Sequence, residues 1–95
     1  MSPRKISQIV SKYEMELKKA GIKRKRISVD RNWALCSREE LLGHAYYLLG
    51  GIRKYVKKRN KVGKTGRHLG SVQTILMAAG WQTLRDSMEH NRPKT

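Results

Sequence analysis

Residues 37–56 read SREELLGHAYYLLGGIRKYV and carry the clearest helix signal in the chain. The segment opens with a capping box, in which the Ser37 hydroxyl and the Glu40 carboxylate each accept a hydrogen bond from an otherwise unpaired backbone N–H. Apolar side chains then recur at helical spacing as far as Val56. This pattern predicts a helix from Arg38 to near Arg59 that forms the spine of the core.

Gly50 and Gly51 lie inside this pattern. Each costs about 1 kcal/mol relative to alanine in a helix interior, so the pair needs a structural reason. A kink, a close helix crossing or a break at that point would each supply one. The sequence leaves these three explanations open.

The region before residue 37 is predicted to contain one helix and a basic arm. Ser2 and Pro3 suit an N-cap and a first helical position, and apolar residues at helical spacing then continue to Ala20 before Gly21 ends the pattern. Between residues 21 and 36 the periodicity fails. There we expect a loop or a short extended stretch, from which Trp33 and Leu35 fold back onto the core.

Two shorter helices are predicted after residue 66. The third helix carries apolar residues from Leu69 to Ala79 and ends at Gly80. Thr83 begins a second capping-box pattern, with an acidic residue three positions later. This fourth helix is predicted to end at residues 91–93, Asn-Arg-Pro.

These elements predict an all-α protein: a small single-domain bundle of about four helices over residues 1–95. Residues 1–36 form its basic N-terminal helix and arm, and residues 37–93 form its helical core. Ninety-five residues lie near the lower limit for one independent core, so stability should be modest and dimerisation is left open. The expected core comprises one face of the first helix with Leu41, Leu42, Ala45, Leu48, Leu49, Ile52, Leu69, Val72, Leu76 and Leu84.

Positive charge dominates the composition, because 22 Lys and Arg stand against 7 Asp and Glu and give a formal net charge of +15. Such an excess repels itself in a compact chain. An anionic partner relieves the repulsion and gains free energy from released counterions. Nucleic acid, DNA or RNA, is therefore the favoured partner, and an acidic protein surface is the next.

Two basic clusters, residues 18–26 and 53–67, hold 14 of the 22 positive side chains. We expect them to converge on one face and contact phosphates, with residues 57–66 forming a mobile loop. Tyr55 lies among the lysines and is expected to stack on unpaired bases. The predicted nucleic-acid-binding residues are Lys23, Arg24, Lys25, Arg26, Lys54, Tyr55, Lys57, Lys58, Arg59, Lys61, Lys64 and Arg67.

Catalytic and metal-binding patterns are not found in the sequence. Residues 62–65, Val-Gly-Lys-Thr, resemble part of a P-loop, but Lys58 stands where its leading glycine belongs and no strand precedes it. A helix-turn-helix over residues 72–88 is disfavoured by its spacing and short final helix. Cysteine and histidine spacings match no zinc module. We therefore expect a protein that is not an enzyme and that needs no metal or cofactor.

The sequence also bears on location. Cys36 is the single cysteine, which favours a reducing compartment. Its longest apolar runs are far shorter than the roughly 20 residues that a membrane-spanning helix needs. We expect a cytoplasmic protein that does not bind a membrane.

Four segments of the C-terminal half form a distinctive set: SREELLGHAYYLL (37–49), RHLGSVQTIL (67–76), AGWQTL (79–84) and HNRP (90–93). In its LGxxQ helix, Gly turn, Thr-capped short helix and closing HNRP, over about residues 37–93, the chain resembles a group of small uncharacterised bacteriophage proteins. The resemblance implies a phage origin and a location in the host cytoplasm, and it implies no established activity. The basic arm and the lysine-rich segment 57–64 are not part of it.

Two functional hypotheses from different classes follow. The first is a phage accessory protein that binds nucleic acid through phosphate contacts, largely independent of sequence. The alternative is an inhibitor that binds an acidic or nucleic-acid-binding surface of a host complex, such as a polymerase or a defence system. A metal-dependent nuclease is a third and less favoured reading, because no complete catalytic constellation is present.

Overall fold

The computed structural model describes residues 1–92 of the chain. This range contains helices and no strand, which confirms the predicted all-α bundle. Pro93, the predicted end of the fourth helix and of the HNRP motif, lies outside the described residues. The helices are α1 (Pro3–Lys19), α2 (Arg38–Tyr55), α3 (Val62–Ala78) and α4 (Leu84–Asn91), with short 3₁₀ helices at Trp33–Leu35 and Arg59–Lys61.

Side-chain caps begin three of the four helices, as the sequence predicts. The Ser2 hydroxyl accepts the Lys5 N–H at 3.1 Å at the start of α1. In the capping box of α2, Ser37 and Glu40 exchange side-chain and backbone hydrogen bonds of 3.1 and 3.0 Å. Thr83 and Asp86 form an equivalent capping box at the start of α4. These helix starts satisfy backbone donors that no helical carbonyl can reach.

The core lies between α2 and its two neighbours, α1 and α3. On α2, Leu42, Ala45, Leu49 and Ile52 are fully buried. Alpha1 contributes a stripe of four side chains at helical spacing. The buried residues from the neighbouring helices are Ile9, Val10, Tyr13, Leu17, Leu69, Val72, Ile75 and Leu76.

A polar network attaches α4 to this core. The Tyr13 hydroxyl accepts hydrogen bonds from Gln73 Nε2 (3.1 Å) and Gln82 Nε2 (3.3 Å) and lies 2.8 Å from His90 Nδ1. A phenol has one proton to donate, so Tyr13 donates it to His90 Nδ1. Gln73 and Asn91 also exchange hydrogen bonds of 2.8 and 3.0 Å. The last helix is therefore held mainly by polar contacts.

The connection between α2 and α3 differs from the prediction. Alpha2 ends at Tyr55 rather than near Arg59, and residues 62–66 belong to α3 rather than to a loop. Alpha3 begins without a side-chain cap. Its first turns are stabilised by packing instead, because Thr65 is 3% exposed. Tertiary contacts thus override the two glycines and the polar composition that favoured a loop.

Three apolar residues expected in the core are exposed. Trp33, Leu35 and Leu84 have 42%, 73% and 64% of their surface accessible. The first two lie in a 3₁₀ helix capped by Asn32, and Ile27 is buried instead. Leu84 is the first residue of a short helix whose buried residue is Ser87. Leu41 and Leu48 pack on the core but are only partly buried.

Helix α2 runs unbroken through the Gly50–Gly51 pair. Close approach of the basic arm explains two glycines of this helix, Gly43 and Gly50. A Cβ at Gly50 would overlap the guanidinium of Arg24. Gly43 faces backbone: a Cβ there would lie 2.8 Å from Lys23 O. The basic arm can therefore lie directly on α2 only where these side chains are missing.

We predict that Gly43→Ala destabilises the protein by about 1–3 kcal/mol, because the new methyl group must displace the backbone of the arm. Gly70→Ala is the matched control: Gly70 lies in α3 with no neighbour within 4 Å of an added Cβ. Its higher helix propensity should stabilise the protein by up to about 1 kcal/mol. Urea unfolding followed by circular dichroism measures both changes. Equal stability of the two variants would contradict the close contact.

Candidate nucleic-acid interface

Within the basic arm, residues 21–36, the segment 23–27 runs extended along α2 and is fixed to it. Lys25 N–H donates to Gly43 O at 3.1 Å, and Ile27 N–H donates to His44 Nδ1 at 3.0 Å. The Ile27 side chain is buried beside these contacts. The arm therefore has a defined path rather than the freedom of a solvated loop.

Successive side chains of an extended chain point to opposite sides, and this divides the four predicted residues 23–26 into two pairs. Lys23 and Lys25 line a depression beside Glu39 and Glu40 at the start of α2. The remaining pair, Arg24 and Arg26, faces the side on which α2 meets α3. The structure therefore does not bring all four together at one surface.

Arg24 takes part in the packing of the bundle. Its guanidinium donates to Glu14 Oε2 at 2.9 Å and to Tyr46 O at 3.0 Å, and it lies 4.2 Å from the centre of the Tyr46 ring. Arg53 donates to the other oxygen of the same carboxylate. Burial would raise the pKa of Glu14, but hydrogen bonds from Arg53 and Arg24 outweigh it and hold the pKa below its usual value. The positive charge of Arg24 is thus paired within the protein with the Glu14 carboxylate, which Arg53 shares.

The second cluster borders a groove between α2 and α3. Three adjoining depressions form this groove, and Leu48, Lys64 and His68 line all three. Arg26 lies at one end, and Tyr55 lies at the other. We call this continuous surface the α2–α3 groove. It brings residues of both predicted clusters together.

Tyr55 lies within a ring of lysines at one end of the groove. The Lys64 ammonium is 4.4 Å from the centre of the Tyr55 ring, and those of Lys54, Lys58 and Lys61 are 5.6, 5.6 and 5.8 Å away. The positive charges of Lys64, Lys54 and Lys61, that of Lys64 first, lower the pKa of the Tyr55 phenol. We call these five residues the Tyr55 lysine cluster.

The other predicted residues lie around this cluster. Arg67 lines the groove one turn beyond Lys64 on α3. Lys57 and Arg59 are exposed on the connection between α2 and α3. The sequence from residue 41 to residue 85 contains no Asp or Glu, so this part of the chain supplies no charge of opposite sign.

The sequence prediction assigned Trp33 to the core and so did not include the aromatic end of the groove. Trp33 meets the His44 ring edge-on with ring centres 5.2 Å apart, and Tyr47 stacks on His44 with ring centres 5.8 Å apart. Arg26 lies 5.8 Å from the centre of the Tyr47 ring. A signal for the exposure of Trp33 was available in the polar run Asp30-Arg-Asn32 directly before it.

His44 links the arm, the aromatic end and α2, and it does so as a neutral ring. Its Nδ1 accepts the Ile27 N–H, so it needs an unprotonated nitrogen at that position. Burial lowers the pKa of His44 below its ordinary 6.5, and the positive charges of Arg26 and His68 lower it further.

Other kinds of site receive no support from the described residues. Residues 1–92 contain no group of three or more His, Cys, Asp or Glu side chains that could hold a metal ion. No helix within that range is both long enough and apolar enough to cross a bilayer.

Comparison with known proteins gives no match. No family model matches the sequence, and neither a curated protein nor a solved structure is significantly similar to it. The resemblance to small phage proteins therefore rests on the quoted sequence segments.

We predict that stability decreases as the pH falls below about 6.5, where the unfolded chain protonates His44 and the folded chain resists it. The contribution of neutral His44 to the free energy of unfolding is fully present above that pH. His44→Gln retains an acceptor for the Ile27 N–H but cannot titrate, so it should lose this part of the pH dependence. Urea unfolding at about pH 7.5 and about pH 5.5 measures the difference.

The carboxylates provide the internal reference for this experiment. The pKa values of Glu14, Glu16 and Glu40 are lowered from 4.5, so their contribution is lost only at more acidic pH. The same slope between pH 7.5 and 5.5 in both proteins would show that His44 is not the responsible group.

Proposed function

We propose that this protein binds nucleic acid, DNA or RNA, through phosphate contacts at the α2–α3 groove. The observation that carries the proposal is the Tyr55 lysine cluster. Four ammonium groups lie within 5.8 Å of one ring centre, in a stretch of chain without an acidic residue. Such an arrangement suits a ligand that brings several negative charges.

The electrostatic cost of this cluster supports a polyanionic ligand. Like charges held this close repel each other, and the excess over the whole chain is +15. A phosphate backbone bound across the cluster removes the repulsion and releases condensed counterions. Monovalent counterions alone would screen the charges without this entropic gain.

The chemistry of the groove favours binding that is largely independent of sequence. Lysine contacts to phosphates fix the position of a nucleic acid but carry no base information. Arg26 and Arg67 lie along the same groove as Lys64 and extend the positive surface from the Tyr55 lysine cluster toward Trp33 and His44. Together with the resemblance to phage proteins, this supports an accessory role in phage nucleic-acid metabolism within the host.

A second candidate is a protein partner, and the exposed apolar residues of the arm favour it. Val29 and Leu35 are 80% and 73% exposed, and phosphate contacts make no use of them. In this alternative the protein is a phage inhibitor that covers an acidic or nucleic-acid-binding surface of a host complex. Apolar contacts of this kind would persist at high salt, whereas phosphate contacts weaken.

We predict that Lys54→Gln/Lys64→Gln weakens nucleic-acid binding. The slope of the logarithm of the binding constant against the logarithm of the salt concentration should become less steep by about 1.5, as expected for two lost phosphate contacts. Fluorescence anisotropy with labelled single-stranded DNA, duplex DNA and RNA, from about 50 to about 300 mM salt, measures the slope.

Lys18→Gln/Lys19→Gln is the matched control, since each double variant reduces the formal charge from +15 to +13. Lys18 and Lys19 lie in the last turn of α1, outside the groove. Equal losses in both variants would show that net charge alone, rather than the groove, determines binding. No binding to any nucleic acid at the lowest salt would exclude the proposal and favour the protein partner.

A further inference from the structure

Two of the six Trp and Tyr side chains in this protein are exposed, and both lie at the same end of the α2–α3 groove. Trp33 is 42% exposed and Tyr47 is 38% exposed. Both line the depression that also contains Arg26, His44 and Lys64. The chain has no Phe and a small core. Each large ring left at the surface therefore forgoes apolar burial that would stabilise the fold.

The contacts among these rings hold them in position. His44 is fixed by the hydrogen bond from Ile27 N–H, and both Trp33 and Tyr47 pack against it. Rings that are already ordered lose little entropy when another flat group stacks on them. This end of the groove thus offers rigid apolar faces that border positive charge.

The groove combines two kinds of chemistry along its length. Tyr47 and Tyr55 lie eight residues, or about 12 Å, apart on α2. At about 3.4 Å per stacked nucleotide, this separation corresponds to roughly three or four nucleotides. Lys64 lies between them on α3 and borders both ends. One end therefore suits bases, and the lysine end suits phosphates.

We infer that the ligand of this groove is single-stranded nucleic acid, whose unpaired bases stack on Trp33 and Tyr47 while the backbone follows Lys64 to the Tyr55 lysine cluster. This inference rests on the proposed function and specifies its substrate class. Bases in a duplex are covered on both faces by their neighbours, whereas bases of a single strand can stack on protein rings. The aromatic end would thus be unused by a duplex.

The test compares the binding of three ligands of equal length to the 95-residue protein. These are oligothymidylate of about 12 nucleotides, the same backbone with abasic sites throughout, and a duplex of about 12 base pairs. The abasic oligomer keeps the phosphates and removes the bases. We expect oligothymidylate to bind at least about tenfold more tightly than the abasic oligomer in anisotropy titrations at one salt concentration.

Variants assign this difference to the rings. Trp33→Ala/Tyr47→Ala should reduce oligothymidylate affinity about tenfold and leave abasic affinity unchanged. Trp33→Phe/Tyr47→Phe keeps flat rings and should retain most of the affinity. Leu35→Ala removes an exposed apolar side chain from the same 3₁₀ helix and should have no effect. Circular dichroism confirms that each variant is folded.

The outcomes separate this inference from the proposed function. Equal affinity for oligothymidylate and the abasic oligomer, or tighter binding of the duplex than of oligothymidylate, would overturn the inference and leave phosphate binding intact. Failure of all three ligands to bind at low salt would overturn both. Equal loss of both single-stranded ligands in the double alanine variant would also overturn it.

Discussion

The backbone contact between residues 23–27 and α2 determines the shape of the basic surface. It depends on the missing side chain at Gly43, on the hydrogen bond from Lys25 N–H, and on the burial of Ile27. Because the arm is extended along this contact, its alternate side chains reach opposite sides of α2. The contact therefore places Arg24 and Arg26 on the groove side of α2 and Lys23 and Lys25 on the other side. It also carries the chain toward Trp33.

Acidic residues in this protein have structural tasks at particular places. Glu14 forms ion pairs with Arg24 and Arg53. Glu16 accepts hydrogen bonds from Lys12 and from the Trp81 indole. Glu40 caps α2 and pairs with Arg31. These carboxylates serve α1, the arm and the start of α2. The positive charges around Tyr55 lie in the other part of the chain, which has no acidic residue between positions 41 and 85.

Local patterns allowed the helices to be predicted, because caps and apolar spacing act within a few residues. The capping boxes at Ser37 and Thr83 fixed two helix starts correctly. The predicted start of α3 was wrong because this helix has no cap and depends on packing of Thr65. The prediction that Leu84 lies in the core was wrong because a two-turn helix can be held by polar contacts instead of apolar ones.

The candidate site was only partly predictable for a related reason. Lys54, Lys58, Lys61 and Lys64 all lie close to Tyr55 in the sequence, so a local concentration of charge could be predicted. Their approach to the Tyr55 ring depends on the turn between α2 and α3, which was predicted wrongly. The separation of Lys23 and Lys25 from Arg24 and Arg26 was not predictable either. It depends on a contact between residues far apart in the sequence, which no periodicity reports. The aromatic end of the groove was missed because a Trp is normally assigned to the core.

The polar attachment of α4 has a consequence for how the protein fluctuates. An isolated helix of eight residues is unstable in water, so α4 persists only while its contacts to Tyr13 and Gln73 hold. Its hydrogen bonds are exchanged for water at a lower cost than the buried leucines of α2. The C-terminal helix can therefore detach as a separate cooperative unit, and its amide protons should exchange with solvent well before those of the three-helix core.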